Sequence, residues 1–191
     1  MSCIKWPIKD CYVVENLQVI DFLLIFVGNM TIRKATQNDL DVVLSLIQCG
    51  REKMIASGNT GQWTEGYPPQ TQLESDIEKG NCYLISTDDN RAIATFAFIK
   101  GVDPTYLKIE GEGWLNEEPY GTIHRVASAP GTRGIMAMVV DYCFKEVDNI
   151  RIDTHKDNIP MQRALERLAF RYCGVIHLAN GDPRVAFQKK R

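Results

Sequence analysis

The stretch His124–Val140 reads HRVASAPGTRGIMAMVV, and its apolar period changes in the middle. "HRVAS" alternates as a strand does, with successive side chains on opposite faces. Alternation puts His124 and Arg125 on opposite faces. Pro130, Gly131 and Gly134 then mark a turn, and Ile135, Met138, Val139 and Tyr142 follow at helical spacing. A helix that opens this way presents unpaired N–H groups and about half a unit of positive charge, which suits a pyrophosphate. Gly131 and Gly134 allow close backbone approach, and Arg133 adds a fixed positive charge. The pattern is neither the G-x-x-x-x-G-K-[ST] loop nor the G-x-G-x-x-G fingerprint, which argues against a nucleotide P-loop or a Rossmann unit. Taken alone, the turn is a plain connection as readily as an anion site.

The flanking segments supply the context. "MTIRKAT" reads as a strand, and Thr36 to Asp39 has the form of a capping box before a helix with Leu40, Val43, Leu44 and Ile47 on one face. Ser57 to Pro69, "SGNTGQWTEGYPP", is a loop by its Gly, Pro and aromatic content. Thr71 to Lys79 reads as a short helix capped by Thr71 and Glu74 and ended by Gly80. "CYLIST" and "RAIATFAFIK" form a hairpin, "TYLKIEGEGWLNEEPY" is partly strand and partly loop, and "GTIHRVAS" and "IRIDTH" are strands. Asn158 opens a helix with Pro160 in its first turn and an apolar stripe of Met161, Ala164, Leu165 and Leu168. "RYCGVIHL" and "RVAFQK" close the chain as a hairpin through "ANGDP". The order implies an α+β fold, a mostly antiparallel central sheet flanked by helices.

The whole chain sets limits. Its 191 residues suit one domain with a sizeable core, and 45% apolar with 24% charged residues is ordinary for a soluble globular protein. A net charge of -2 argues against a nucleic-acid binder. The 6 cysteines include no C-x-x-C pair, so a reduced, cytoplasmic protein is expected. His124, His155 and His177 have no metal-ligand spacing, and no metal is expected. Residues 1–29 form an apolar extension of uncertain role. Its core, "LQVIDFLLIFVG", is shorter than the ~20 apolar residues a membrane helix needs and contains Asp21, so no membrane span is expected. It reads as an added packed element, or as a stretch upstream of a functional start near Met30. The domain proper is then 30–191.

"HRVAS" followed by a turn, Arg133-Gly134 and a helix resembles motif A of the GNAT superfamily of N-acetyltransferases, and "RIDTHKDNIPMQRALERLAF" resembles its motif B. The resemblance spans about residues 30–191. It is greatest to a bacterial branch carrying "HRxAS", "DTHxDNxxMQ" and "CGxIxxxxGxPRxA(F/Y)". It implies a GNAT-like acyl-CoA N-acyltransferase fold, acetyl-CoA as donor, and a small-molecule or peptide amine as acceptor. In that family Val126, Ala127 and Ser128 would hold the pantetheine through their backbone. Gly131 and Thr132 to Ala137 (Thr132, Arg133, Gly134, Ile135, Met136, Ala137) would wrap the pyrophosphate, and Asn158, with Met161 beside it, would hold the cofactor where two parallel strands part. Several positions depart from the family pattern, and Gly131 stands where the signature has Gln or Arg. Met136 stands where a small residue is usual, and Leu165 stands where a tyrosine usually protonates the leaving thiolate. Ala169 also replaces a common glycine. Weaker cofactor binding, or a different acid, is expected.

Amide formation needs a neutral amine, a base within reach, donors for the oxyanion, and a departing thiolate. The candidates for proton work are His124, His155, Asp153 and Tyr172, because imidazole titrates near neutral pH and Asp153 shares a strand face with His155. Gln62, Trp63 and Tyr67 in the long loop, Trp114 in a second loop, and Arg125 are the candidates for the acceptor pocket. The leading expectation is direct acetyl transfer in a ternary complex, with a homodimer compatible with it. The alternative is a non-catalytic acyl-CoA-binding sensor or regulator on the same fold, supported by Met136 and Leu165.

Overall fold

In the computed structural model, which describes residues 30–191, seven strands form one sheet in the order β1-β2-β3-β4-β5-β7-β6. The expectations for residues 1–29 lie outside the described residues. The strands are β1 (Thr31–Lys34), β2 (Cys82–Ser86), β3 (Ala92–Lys100), β4 (Gly121–Ser128), β5 (Asn149–Thr154), β6 (Arg171–His177) and β7 (Pro183–Lys190). Every pairing is antiparallel except β4 with β5. Helices α1 (Leu40–Ala56) and α2 (Gln70–Glu78) cover one face, against Leu84 and Ala127. Helices α3 (Ile135–Cys143) and α4 (Ile159–Arg167) cover the other, against Phe96, Ile123 and Ile152. This is the α+β architecture that the order of elements implies, a mostly antiparallel sheet flanked by helices.

Helix starts follow local chemistry. Asp39 Oδ2 accepts from both the backbone N and the Oγ1 of Thr36 at 2.8 Å, completing the expected box one short 3-10 turn before α1. Asn158 Oδ1 accepts from Met161 N at 3.2 Å and caps α4. Helix α2 differs from expectation. It starts at Gln70 after Pro69, with no cap from Thr71, because Pro69 already fixes an extended entry. The segment expected to be partly strand, Thr105 to Tyr120, holds only a 3-10 turn (Pro104–Tyr106) and a single bridge from Glu110 to Val175. Its aromatic side chains form their own small core, in which Tyr106 and Tyr120 pack with Ile176 and Ala186.

Strict alternation fails inside β4. Thr95 pairs with Ala127 and Ala97 with His124, so Arg125 and Val126 together oppose one residue of β3. Arg125 takes a left-handed φ of 53° at this bulge. The extra residue turns Arg125 to the same side as His124, toward α2. This corrects the expectation that they face opposite sides.

Two close approaches fix how layers meet. Gly50 lets α1 cross β4 closely, since a Cβ there would lie 2.8 Å from Ala127 Cβ and 2.9 Å from the Trp63 ring. Gly174 (φ 141°) lets the Glu110 bridge lie on β6, where a Cβ would collide with the Glu110 carbonyl oxygen. Helix α4 ends in a Schellman arrangement, with Ala169 N bonded to Glu166 O and Phe170 N to Leu165 O, both at 2.9 Å. Ala169 itself holds φ 58°, which is the conformation that makes glycine common at this place. Replacing Gly174 by Ala should cost about 3 kcal/mol in urea unfolding. Ala169→Gly should instead stabilise the fold by about 1 kcal/mol in the same measurement.

Candidate active site

The ladder between β4 and β5 consists of Gly121 with Ile150 and Thr122 with Arg151, and it ends there. Beyond it the strands part, leaving the β4 backbone from Ile123 onward without a β5 partner. Two cavities meet at this opening. One, of about 290 Å³, is bordered by His124, Asp103, Asp153 and Arg184. The other, of about 330 Å³, is a groove bordered by Lys53, Ser128, Thr132, Ile135 and Ala164. Met54, Val126, Asn158 and Met161 border both.

The first cavity is built around a histidine. His124 Nε2 lies 3.0 Å from Asp103 Oδ2, and Nδ1 lies 3.9 Å from Asp153 Oδ1. Asp103 is held by its neighbours, since Oδ1 accepts from Thr105 N at 2.9 Å and from Thr105 Oγ1 at 2.6 Å. Burial pushes the Asp103 carboxyl up, but the hydrogen bonds from His124 and Thr105 outweigh it and hold it at about 2. Asp153 does not pair with Arg151. Its Oδ1 instead accepts from the Tyr106 hydroxyl at 2.6 Å. Burial, followed by the Asp153 charge, drives the Tyr106 phenol well above its ordinary value, so it stays a donor. Trp114 stacks on Tyr106 with ring centroids 5.3 Å apart and donates to its carbonyl at 2.9 Å.

The second cavity leads to the quoted turn. Thr132 Oγ1 bonds Ala129 O at 2.8 Å and closes the turn. The first helical bond of α3 is Met138 N to Gly134 O at 3.2 Å, so the amides of Ile135, Met136 and Ala137 precede it and point out of the helix start. Lys53 of α1 donates to Ser128 Oγ at 2.9 Å and Ala129 O at 2.8 Å. Burial lowers its pKa. Gly131, Arg133 and Gly134 are exposed in the turn. The Met136 side chain is buried in the core beneath α3 as well as bordering the groove.

The other sequence candidates are dispersed. Trp63 and Tyr67 border the histidine cavity, Trp63 from the core and Tyr67 from an exposed position. Arg125 borders it too, with Nη2 2.6 Å from Asp76 Oδ2 of α2. Gln62 is a structural hub. Its Oε1 accepts from Asn59 Nδ2 at 2.8 Å and Asn158 Nδ2 at 2.9 Å, with Thr154 Oγ1 and His155 N at 3.4 Å. His155 borders neither cavity, and its Nδ1 is taken by Asp157 N at 3.2 Å. Tyr172 is 45% exposed on β6, against Phe187, and borders neither cavity. Trp114 borders a separate cavity with Arg151 and Val102. Leu165 is 0% exposed in the core, so that position on α4 faces away from the groove.

Sequence reasoning missed Asp103, Tyr106, Lys53, Met54 and Arg184. "DPT" at Asp103 carries a readable signal, an Asx cap before a short turn. Nothing in the sequence ties it to His124.

A sheet that parts between its two parallel strands, with cavities meeting at the gap, fits the acyltransferase fold that the resemblance implies. Comparison with solved structures agrees. The chain is 31% identical to a GNAT-family acetyltransferase from Streptococcus agalactiae, with a TM-score of 0.77 over 85% of this chain and 95% of that one. A GNAT-family acetyltransferase from Listeria monocytogenes is 18% identical, with a TM-score of 0.65 over 85% and 95%. A Drosophila melanogaster polyamine N-acetyltransferase shares the fold at 12% identity, with a TM-score of 0.57 over 85% and 100%. Neither a family profile nor a curated protein matches the chain. The chain belongs to the GNAT family of acetyltransferases.

Among the described residues no helix is long and apolar enough to cross a membrane. Gln62→Ala would leave the buried amides of Asn59 and Asn158 without their acceptor. Urea unfolding should show a loss of about 2 kcal/mol.

Proposed function

We propose that this chain moves an acetyl group from acetyl-CoA to a primary amine by direct transfer, with both substrates bound together. The observation that carries this is the wall shared by the two cavities, formed by Met54, Val126, Asn158 and Met161. A donor in the groove and an acceptor beside His124 would meet across that wall.

The residues present fit the donor. The β4 backbone past Ile123 lacks β5 partners, and a pantetheine arm carries amides that would satisfy such groups. Val126, Ala127 and Ser128 would hold it. The free amides of Ile135, Met136 and Ala137, with Lys53 and Arg133 nearby, would hold the pyrophosphate. Asn158 spends its oxygen on the α4 cap and one amide hydrogen on Gln62, which leaves a second hydrogen for the donor. Met136 turns its side chain into the core, so its backbone N–H remains approachable.

When bound, acetyl-CoA supplies an acetyl thioester whose thiolate can depart. His124 supplies the base. The Asp103 carboxylate at 3.0 Å keeps the proton on Nε2, so the Nδ1 lone pair faces the cavity. An incoming ammonium would sit in the gap between Nδ1 and Asp153, and Nδ1 would take its proton. The amine nitrogen then forms the C–N bond as the C–S bond breaks, and the second proton it sheds passes to the departed thiolate, directly or through water. Direct transfer is supported by the cysteines among the described residues, because none of Cys49, Cys82, Cys143 and Cys173 borders either cavity. Loss of the usual tyrosine at Leu165 is tolerable because a thiolate leaves without prior protonation.

His124→Ala should lower kcat by about 100–1000-fold in a thiol-release assay while changing the acetyl-CoA KM little. Asp103→Asn should cost about 10–100-fold through the wrong tautomer. Arg133→Glu should raise the acetyl-CoA Kd about tenfold by calorimetry. Tight acetyl-CoA binding with no thiol release on any amine would favour the sensor reading instead.

A further inference from the structure

The cavity beside His124 is also bordered by Arg184, whose side chain is 5% exposed. A guanidinium taken out of water is costly unless acceptors replace its hydration. Arg125 and Arg151 each have a compensating charge or ring partner, although Arg125 Nε and Nη2 and Arg151 Nε make no hydrogen bond. Arg125 lies against Asp76 at 2.6 Å. Arg151 is held between the rings of Trp114 and Tyr120, at 4.2 and 4.0 Å, and donates to Asn116 O at 2.7 Å. Arg184 differs. Its Nη1 donates to Pro183 O at 2.9 Å, while the carboxylate nearest to it, Asp182, stands 3.8 Å away. That is beyond hydrogen-bond reach. Asp182 is half exposed, and its Oδ2 already accepts from Asn180 at 2.9 Å. Most of the five donors of this fork are therefore open to a ligand.

The sheet register brings Arg184 to the proposed chemistry. Asp153 pairs with Ala186, and Arg184 lies two residues before Ala186 on β7, on the same face of the pleat. One cavity thus carries a buried cation with an open fork and, beside it, the Asp103–His124–Asp153 group that would receive an amine.

The geometry points to an acceptor that bears a carboxylate as well as its amine: an amino acid or a short amino-acid-like compound. Arg184 binds the carboxylate in a forked pair, and the amine lies at His124 Nδ1 and Asp153. About 290 Å³ suits a small molecule rather than a folded protein. A purely cationic polyamine would place like charge against Arg184. This inference rests on the transfer reading above and adds the acceptor class to it.

The test is thiol release by the full chain at saturating acetyl-CoA. The acceptors are a panel of amino acids, each paired with its decarboxylated amine and its methyl ester. Expected is a preference in kcat/KM of about 100-fold for the free carboxylate. In Arg184→Met this ratio should fall to about one, through a raised KM, and Arg184→Lys should keep an intermediate ratio. A ratio measured within one variant is insensitive to partial loss of folded protein. Wild-type protein that acetylates decarboxylated amines or esters as well as the acids overturns the proposal and leaves the transferase reading standing. An unchanged ratio in both Arg184 variants also overturns it. No thiol release with any amine overturns the transferase reading, and this one with it.

Discussion

Two parallel strands that pair over two residues and then part are the constraint on which the rest of this structure depends. Parallel strands normally continue their ladder, because each unpaired backbone group costs as much as a lost hydrogen bond. Here the ladder stops at Thr122 and Arg151. Several features keep it from resuming. The bulge at Arg125 twists β4 away. Side chains around Val126 and Asn158, both bordering the two cavities, occupy the gap. The close crossing of α1 at Gly50 presses Trp63 and Ala127 together on one side. The gap leaves backbone groups of β4 that need partners other than β5. That is why the cavity pair belongs to the fold and not to a loop added to it.

The charges around the gap are arranged by depth. Asp103 and Asp153 are mostly buried, and each is already committed to a hydrogen-bond donor, His124 for one and Tyr106 for the other. Tyr106 is in turn covered by Trp114, and Trp114 covers Arg151. A stacked column of rings thus stands behind the carboxylate that faces the histidine. Its role is to keep water from reaching Asp153 from the rear, which strengthens every polar contact at the front.

Much of the architecture was legible in the sequence. Period changes locate most of the strands and three of the helix stripes, and Asn158 reads correctly as the cap of α4. Two kinds of feature were not legible. The first is backbone irregularity: alternation alone sets His124 and Arg125 on opposite faces, and no residue-type signal announces a bulge at an arginine. The second is contact between distant segments. Asp103 reaches His124 from a loop, and Lys53 reaches the Ser128–Ala129 turn from α1. Neither partner has a spacing that a linear pattern can read. Conversely, His155 looked suited to proton work because it follows Asp153 by two residues. The strand has ended by then, His155 Nδ1 accepts from the Asp157 amide, and the ring borders neither cavity.

Gln62 carries a mechanical consequence. A single amide oxygen receives donors from its own loop, from the end of β5 and from the start of α4. An oxygen has two lone pairs, so these donors share it and none holds it alone. The loop that borders the acceptor cavity and the residue that borders the donor groove are therefore joined through one atom. Replacing Gln62 therefore removes a support of the loop and a support of Asn158 together. The position of the loop and the position of the α4 start are thus set by one and the same acceptor atom.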